Sequence, residues 1–368
     1  MDCDGITELE QQQFAALITK VRRPYKALVE VTQRCNNCCR HCYLDPAGHV
    51  PPPDLPTDYF LELFDALAAE ETLWLTLTGG EPLTRSDFPL LYEQAKRRGF
   101  LVGLFTNACL LTDEIADLLA QLPPRLVSIS LYGATAPTYE SITCTPGSFD
   151  QAIAGIRRVH ERGIHGHLKT VLMRSNAHEL EGMQGLAEEL GWKLHIDALL
   201  QPTIYGSQAP LEERLSPEEA VRLDTDLPER HEAWLEVCEA NRETKPIARL
   251  YPCAAGHSNV FISATGQVHP CLVARSLAWP LDRDDMRASL HTIFYDSFPD
   301  TMSFCPIGPF PCGECEAQYL CVSCPACREL ETGSAALPCA YNCRLTQLRT
   351  EAFGVPHRPP VPSRDAPS

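Results

Sequence analysis

"ALVEVTQRCNNCCRHC", Ala27 to Cys42, is the stretch from which the rest of the chain is read. Its first seven residues are rich in apolar and β-branched side chains and predict a strand. Four cysteines then fall within eight residues, Cys38 and Cys39 side by side. A strand that runs directly into a thiol-rich loop predicts a ligand site at the strand's C-terminal end, provided a sheet continues around it.

The sequence predicts that sheet. "LWLTLTG" from Leu73, "FLVGLFT" from Phe100, "RLVSISLYG" from Arg125, "HLKTVLM" from His167 and "KLHIDALL" from Lys193 read as five more strands. Helical patterns separate them, in "TDYFLELFDALAAEE", "DFPLLYEQAKRRG", "LTDEIADLLAQL", "SFDQAIAGIRRVHERG" and "ELEGMQGLAEELG". Near-continuous apolar strands, each followed by an amphipathic helix, imply a parallel sheet covered on both faces. Right-handed crossovers would curl it into a partial (βα)6 TIM-like barrel of the α/β class. The loops at the C-terminal strand ends would then form the site.

The boundaries read as an N-terminal extension over 1–24, the barrel core over 25–200 and a connector over 201–250. A Cys-rich segment over 251–352 and a disordered tail over 353–368 follow. The connector is loop-rich, then helical from a Ser-Pro start at Ser216. The Cys-rich segment has weak periodicity and is expected to need metal to fold.

The formal net charge of −17 argues against nonspecific nucleic-acid binding, which rests on neutralising phosphates. Neither a membrane span nor a secretory signal is evident, so a cytoplasmic protein with no membrane partner is expected. Eighteen cysteines in such a chain point to metal rather than disulfides. Four of them, Cys3, Cys109, Cys144 and Cys238, are scattered and read as small buried hydrophobes. In the first cluster Cys35-x3-Cys39-x2-Cys42 offers three thiolates, one short of the four a cubane [4Fe–4S] cluster usually takes. A zinc site built on Cys35-x2-Cys38 with later partners is the alternative.

Strand two ends in Gly79-Gly80-Glu81-Pro82. The two glycines would permit close approach of a ligand to the backbone and unusual turn dihedrals. Alone, such a pair is only a turn. In register with a three-cysteine loop after strand one, it resembles the radical S-adenosylmethionine (radical SAM) superfamily over residues 27 to about 200.

That resemblance implies an enzyme in which Cys35, Cys39 and Cys42 hold a [4Fe–4S] cluster. The open iron would chelate S-adenosyl-L-methionine. One electron would cleave the sulfonium, and the resulting 5′-deoxyadenosyl radical would abstract hydrogen from a substrate. Cys38 would be the spare thiol. His41 takes a position that is usually aromatic and lies beside the adenine. Gly79, Gly80, Glu81 and Pro82 would hold the methionine ammonium. Thr106, Asn107 and Ser130 match polar positions that contact the cofactor, and Lys169 or Thr170 could reach it. An electron donor such as flavodoxin or ferredoxin is implied.

The C-terminal field begins with Cys253 and Gly266-x4-Cys271, continues with Cys312-x2-Cys315-x5-Cys321 and adds Cys324, Cys327, Cys339 and Cys343. Zinc ribbons are one reading. The order resembles the SPASM extension of radical SAM enzymes, which implies one or two auxiliary iron–sulfur clusters. Cys253 and Cys271 would serve the first, with Cys324 or Cys327 crossing back. Cys312, Cys315, Cys321 and a final cysteine would serve the second, with Cys339 preferred over Cys343. The first cluster, with two clear early ligands, could keep an open iron, be a [2Fe–2S] cluster or be absent.

Enzymes with this extension mostly modify ribosomally made peptides or proteins, and such a substrate is expected. Oxidation or decarboxylation of a small molecule such as a tetrapyrrole side chain is the alternative, and a zinc-stabilised non-enzymatic interaction protein is a third reading. The roughly 25 residues before strand one are expected to be too few for a fused leader-peptide reader, so a peptide would come with a separate carrier or dock directly. The Tyr205–Gly206 loop, His257 and an acidic rim are conceivable substrate contacts. No catalytic acid or base is identifiable.

Overall fold

The structure is a computed structural model and describes residues 21–247, 249–302 and 310–355. Cys3, Cys305, most of the expected N-terminal extension and most of the expected tail lie outside the described residues.

Six strands run in sequence order: β1 (Lys26–Glu30), β2 (Trp74–Thr78), β3 (Leu101–Thr106), β4 (Leu126–Ser130), β5 (Gly166–Val171) and β6 (Leu194–Asp197). Each pairs in parallel with the next. The crossovers contain α1 (Thr57–Ala69), α2 (Phe88–Arg97), α3 (Asp113–Gln121), α4 (Ala136–Thr143) with α5 (Ser148–Glu161), and α6 (Leu180–Glu189). Helix α1 shows why they pack as they do. Tyr59, Phe60, Leu63, Phe64 and Leu67 recur at helical spacing and are all buried against the sheet. Each such side chain contributes about 1.5–3 kcal/mol on burial. Thr112 caps α3 by accepting from Ile115 N. Helix α4, which the sequence reading did not identify, becomes a wall for the cysteine loop.

Beyond β6 come α7 (Pro217–Asp226) and α8 (Pro228–Ala240). The predicted Ser216 start is a full capping box with Glu219.

The Cys-rich segment has more regular structure than its weak periodicity implied. Strands β7 (Asn259–Ile262), β8 (Gln267–His269) and β9 (Trp279–Pro280) extend the same sheet, in the order β6-β5-β4-β3-β2-β1-β7-β8-β9. β7 pairs in parallel with β1, so the edge of the barrel nearest the cysteine loop is covered rather than exposed. The β7–β8 turn needs Gly266: its φ is +78°, and a Cβ there would meet the Tyr59 hydroxyl at 2.8 Å. That turn anchors the approach to Cys271. After it come α9 (Met286–Thr292), α10 (Phe298–Met302), α11 (Pro325–Thr332) and α12 (Ala340–Ala352).

Buried charges tie this segment to the barrel. Asp224, fully buried, accepts from Arg230 Nη2 at 2.6 Å and Arg349 Nε at 2.8 Å. Arg214 binds both Glu331 oxygens at 2.7 and 3.1 Å and reaches the Leu200 carbonyl at 2.7 Å. Charges this deep persist because every member is paired.

Candidate active site

The C-terminal ends of β1–β6 surround a cavity of about 760 Å³. Its wall carries Cys35, Cys39 and Cys42, with His41 between them, and Gly79, Gly80, Thr106, Asn107, Ser130, Lys169 and Thr170 from the successive strand ends. Cys38, 3 residues after Cys35, is not on that wall; its amide donates to the Thr143 carbonyl at 2.9 Å, at the end of α4.

The cysteine loop has little regular structure, and its neighbours hold it. Arg40 N donates to Ile142 O at 3.0 Å and Cys42 N to Cys39 O at 3.1 Å. Asn107 donates to Asn36 Oδ1 at 2.9 Å and lies 3.8 Å from Cys35 Sγ. The Gly79-Gly80 turn supports the loop from beneath. A Cβ on Gly79 would lie 2.3 Å from the Thr32 carbonyl oxygen, and one on Gly80 would lie 2.5 Å from the Gln33 and Arg34 oxygens. Gly80 N and Glu81 N donate to Thr32 O and Arg34 O at 2.9 and 2.8 Å. The glycines are therefore required by close backbone packing of the cysteine loop. They do not adopt positive φ, which corrects the turn-dihedral expectation.

Glu81 and Pro82 lie off the cavity wall. Glu81 is completely buried and accepts from Thr106 Oγ1 at 2.8 Å, Asn107 N at 2.7 Å and Leu83 N at 3.1 Å. It locks the end of β3 to the turn after β2. Burial pushes its carboxyl up to about 7, against those hydrogen bonds. Thr106 spends its hydroxyl on Glu81. Tyr205 stacks on His49 at 3.6 Å and donates to Gln33 at 2.8 Å; it and His257 are not on the wall.

Cys35, Cys39 and Cys42 share one wall of the cavity, and three thiolates are a donor set for an iron–sulfur cluster. Burial and then their own mutual charge hold Cys39 well above the usual thiol range, and burial pushes Cys35 up to about 12 and Cys42 up to about 11. Such thiols become ligands when a cationic centre displaces their protons. Among the described residues His41 Nδ1 is buried without a hydrogen-bond partner, and its ring stands edge-on to Tyr132 at 4.4 Å. Burial lowers its pKa to about 4, so the imidazole is neutral near pH 7.

Sequence reasoning missed the far wall of this cavity: Tyr132, His195, Asp197, Gln201, Arg230 and Leu272. The β4–β6 register brings the strand-end residues around, Ser130 beside Lys169 and Lys169 beside His195, while Arg230 comes from α8 and Leu272 from the segment after β8. Lys169 lies over the Phe105 ring at 4.0 Å, and burial lowers its pKa to about 8. The expectation of small buried hydrophobes is corrected at Cys144, which is exposed just after α4. Cys109 and Cys238 are half-buried, and Asn37 Nδ2 lies 3.9 Å from Cys109 Sγ.

Two further thiol groups lie in the C-terminal segment. A pocket of about 380 Å³ is lined by Cys312, Cys315, Cys321 and Cys343. After burial, the charges of Cys321 and Cys312 act most on Cys343, which is held up to about 12. Cys339, preferred from sequence, is not on that wall; its thiol donates to Glu331 Oε1 at 2.9 Å, within the Arg214 ion pair. One helical turn separates the two, and the rotation of α12 turns Cys343 to the pocket.

In the second group, Cys271 feels the charges of Cys324 and Cys253 after burial and backbone hydrogen bonds, and Cys327 feels those of Cys324 and Cys271. A hydrogen bond from Cys327 lowers the Cys324 thiol. Both Cys324 and Cys327 thus lie within electrostatic reach of Cys271. Cys327 Sγ also donates to Gln201 Oε1 at 3.0 Å, and Gln201 lines the main cavity.

Residues 29–187 match the family model described as the radical SAM superfamily. The chain is 28% identical to an AdoMet-dependent heme synthase of Methanosarcina barkeri, over 86% of this chain and 95% of that protein. It is 29% identical to the mycofactocin maturase MftC of Mycobacterium tuberculosis, over 66% and 63% of the two chains. Its fold is similar to that of native anSMEcpe with bound AdoMet, with a TM-score of 0.69, 16% identity, and coverage of 89% of this chain and 96% of that one. No helix among the described residues is long and apolar enough to cross a membrane. Parallel barrel, three-thiol wall, supporting glycine turn and family match agree, and residues 29–187 are a radical SAM domain.

Proposed function

We propose that this radical SAM enzyme abstracts hydrogen from a side chain of a peptide or protein substrate. Cys35, Cys39 and Cys42 hold the [4Fe–4S] cluster in this reading. When bound, the cluster and S-adenosylmethionine supply a 5′-deoxyadenosyl radical. The chain's own residues position and shield. Gly79 and Gly80 fix the cysteine loop, His41 and Tyr132 present ring edges to the adenine, and Asn107 and Ser130 offer polar contacts. Cys312, Cys315, Cys321 and Cys343 hold one auxiliary cluster. Cys253, Cys271, Cys324 and Cys327 hold the other, with a complete set of four thiolates.

The size of the cavity carries the substrate reading. About 760 Å³ is within the range of a single ligand site, and the cofactor occupies part of it. The space left suits one side chain projecting from a longer molecule, and the rim at β6, where His195, Asp197 and Leu199 are exposed, leaves room for that molecule outside. Lys169 favours a side chain or terminus bearing a carboxylate. MftC, a maturase by name, supports the peptide reading.

A second reading is modification of a tetrapyrrole side chain, supported by the heme synthase similarity along nearly the whole chain. The test is anaerobic incubation of the reduced, iron-loaded protein with S-adenosylmethionine and either candidate precursor peptides or iron-coproporphyrin. Substrate-dependent 5′-deoxyadenosine with a mass change in the peptide supports the first reading. A mass change in the porphyrin alone replaces it with the second. Zinc without acid-labile sulfide in the purified protein would overturn both. A separate peptide carrier and a flavodoxin- or ferredoxin-like donor belong to the same proposal.

A further inference from the structure

Glu30, the last residue of β1, is completely buried and lies between two cysteine segments far apart in sequence. It makes four contacts. Oε1 accepts from Arg275 Nη2 at 2.9 Å and from the Tyr43 hydroxyl at 3.5 Å. Oε2 accepts from Gln33 Nε2 and from Ala264 N, each at 3.1 Å. Gln33 and Tyr43 bracket the first cysteine loop, Tyr43 directly following Cys42. Ala264 lies in the β7–β8 turn, and Arg275 follows Cys271 by four residues.

Arg275 is itself fixed. Its guanidinium stacks on Phe261 at 4.2 Å, and its Nε donates to the Leu272 carbonyl at 2.8 Å. Leu272 also lines the main cavity, on the part of the wall the C-terminal segment contributes. A continuous hydrogen-bonded path thus runs from Tyr43, beside a thiol of the cofactor site, through Glu30 and Arg275 to Leu272 on the cavity wall.

A buried carboxylate has no reason to sit here for stability alone, because a well-packed apolar pair would serve as well. Its directional bonds do something an apolar contact cannot: they fix register between two backbones. We infer that Glu30 and Arg275 are a positioning pair, coupling the cysteine loop that receives the cofactor to the Leu272 wall that meets the substrate. The inference rests on the radical SAM reading of the cavity. Neither side chain touches the cofactor or the substrate; both act through Tyr43 and Leu272.

Amide hydrogen exchange tests it on the iron-loaded full chain, with and without S-adenosylmethionine, in wild type, Glu30→Gln, Arg275→Gln and Arg275→Lys. In wild type, cofactor should slow exchange at Ala264 and across residues 271–277 by about fivefold or more, the lower end of ordinary site-to-site coupling. Arg275→Gln should bind S-adenosylmethionine and protect the cysteine loop as wild type does, yet lose the response across 271–277. Arg275→Lys should retain part of it. If Glu30→Gln fails to fold, the Arg275 pair carries the comparison unaided. A response across 271–277 that survives in Arg275→Gln overturns the inference, as does its absence from wild type that demonstrably binds the cofactor. Wild type that does not bind S-adenosylmethionine overturns the radical SAM reading instead.

Discussion

The chain presents its thiols in two ways. The first cysteine loop hangs from the end of β1 and is fixed by neighbours close in the sheet: Gly79 and Gly80 beneath it, Asn107 beside it, α4 behind it. The C-terminal thiols come from segments separated by tens of residues, joined through the buried ion pairs of Asp224 and Arg214. The first arrangement is local and its spacing is readable. The second is assembled, and adjacent cysteines in it have different fates.

The largest expected effect breaks the first half of that comparison. Cys39→Ala should reduce 5′-deoxyadenosine formation to background, more than the about 10–100-fold that loss of an outer-shell partner costs. Cys38→Ala should keep most of the activity. Equal losses would overturn this ligand register, since Cys38 would then matter as much as Cys39.

Cys343→Ala against Cys339→Ala tests the second half. The first should lose about four irons per chain, one cluster's worth, by iron and sulfide analysis. The second should keep its iron and lose about 1 kcal/mol in denaturant titration, since the Glu331 hydrogen bond goes. Iron loss from Cys339→Ala would restore the sequence preference.

Gly80→Ala sharpens the local case. The added methyl group cannot fit against the Gln33 and Arg34 oxygens, so about 1–3 kcal/mol should be lost, together with iron at the first site and not at the C-terminal sites. Uniform iron loss would show that the turn supports the whole fold rather than the loop.

The smallest effect is a pH limb. Lys169, lowered to about 8 by burial, is cationic below that pH and neutral above it. If it binds a carboxylate, kcat/KM should fall as pH rises through about 8, and the bound anion should move the corresponding limb of kcat upward. Lys169→Arg should abolish the limb while keeping binding at high pH. A limb unchanged in Lys169→Met would assign it elsewhere.

Much of the barrel was legible because its signals are short-range. β-branched runs, amphipathic helices and the Ser216 box each fall within a dozen residues, and all six predicted core strands occur. Strands β7–β9 were not legible: they are two to four residues long and exist because β1 offers an edge, which no local pattern states. The pairing of Cys-x3-Cys-x2-Cys with Gly-Gly-Glu-Pro was enough to find the cavity. It was not enough to say what Glu81 does, since a buried carboxylate and a ligand-binding one look alike in sequence.

The sequence by itself determined the α/β class, the order of the barrel strands, the three-thiol loop and the radical SAM resemblance, because periodicity and close spacing constrain the chain over a few residues. Tertiary structure alone decided that Cys343 rather than Cys339 faces the second thiol pocket, that Cys324 and Cys327 both approach Cys271, and that Glu30 meets Arg275. Those choices depend on how helices rotate and loops cross when distant segments pack, and a side chain's direction is fixed only once its neighbours are in place.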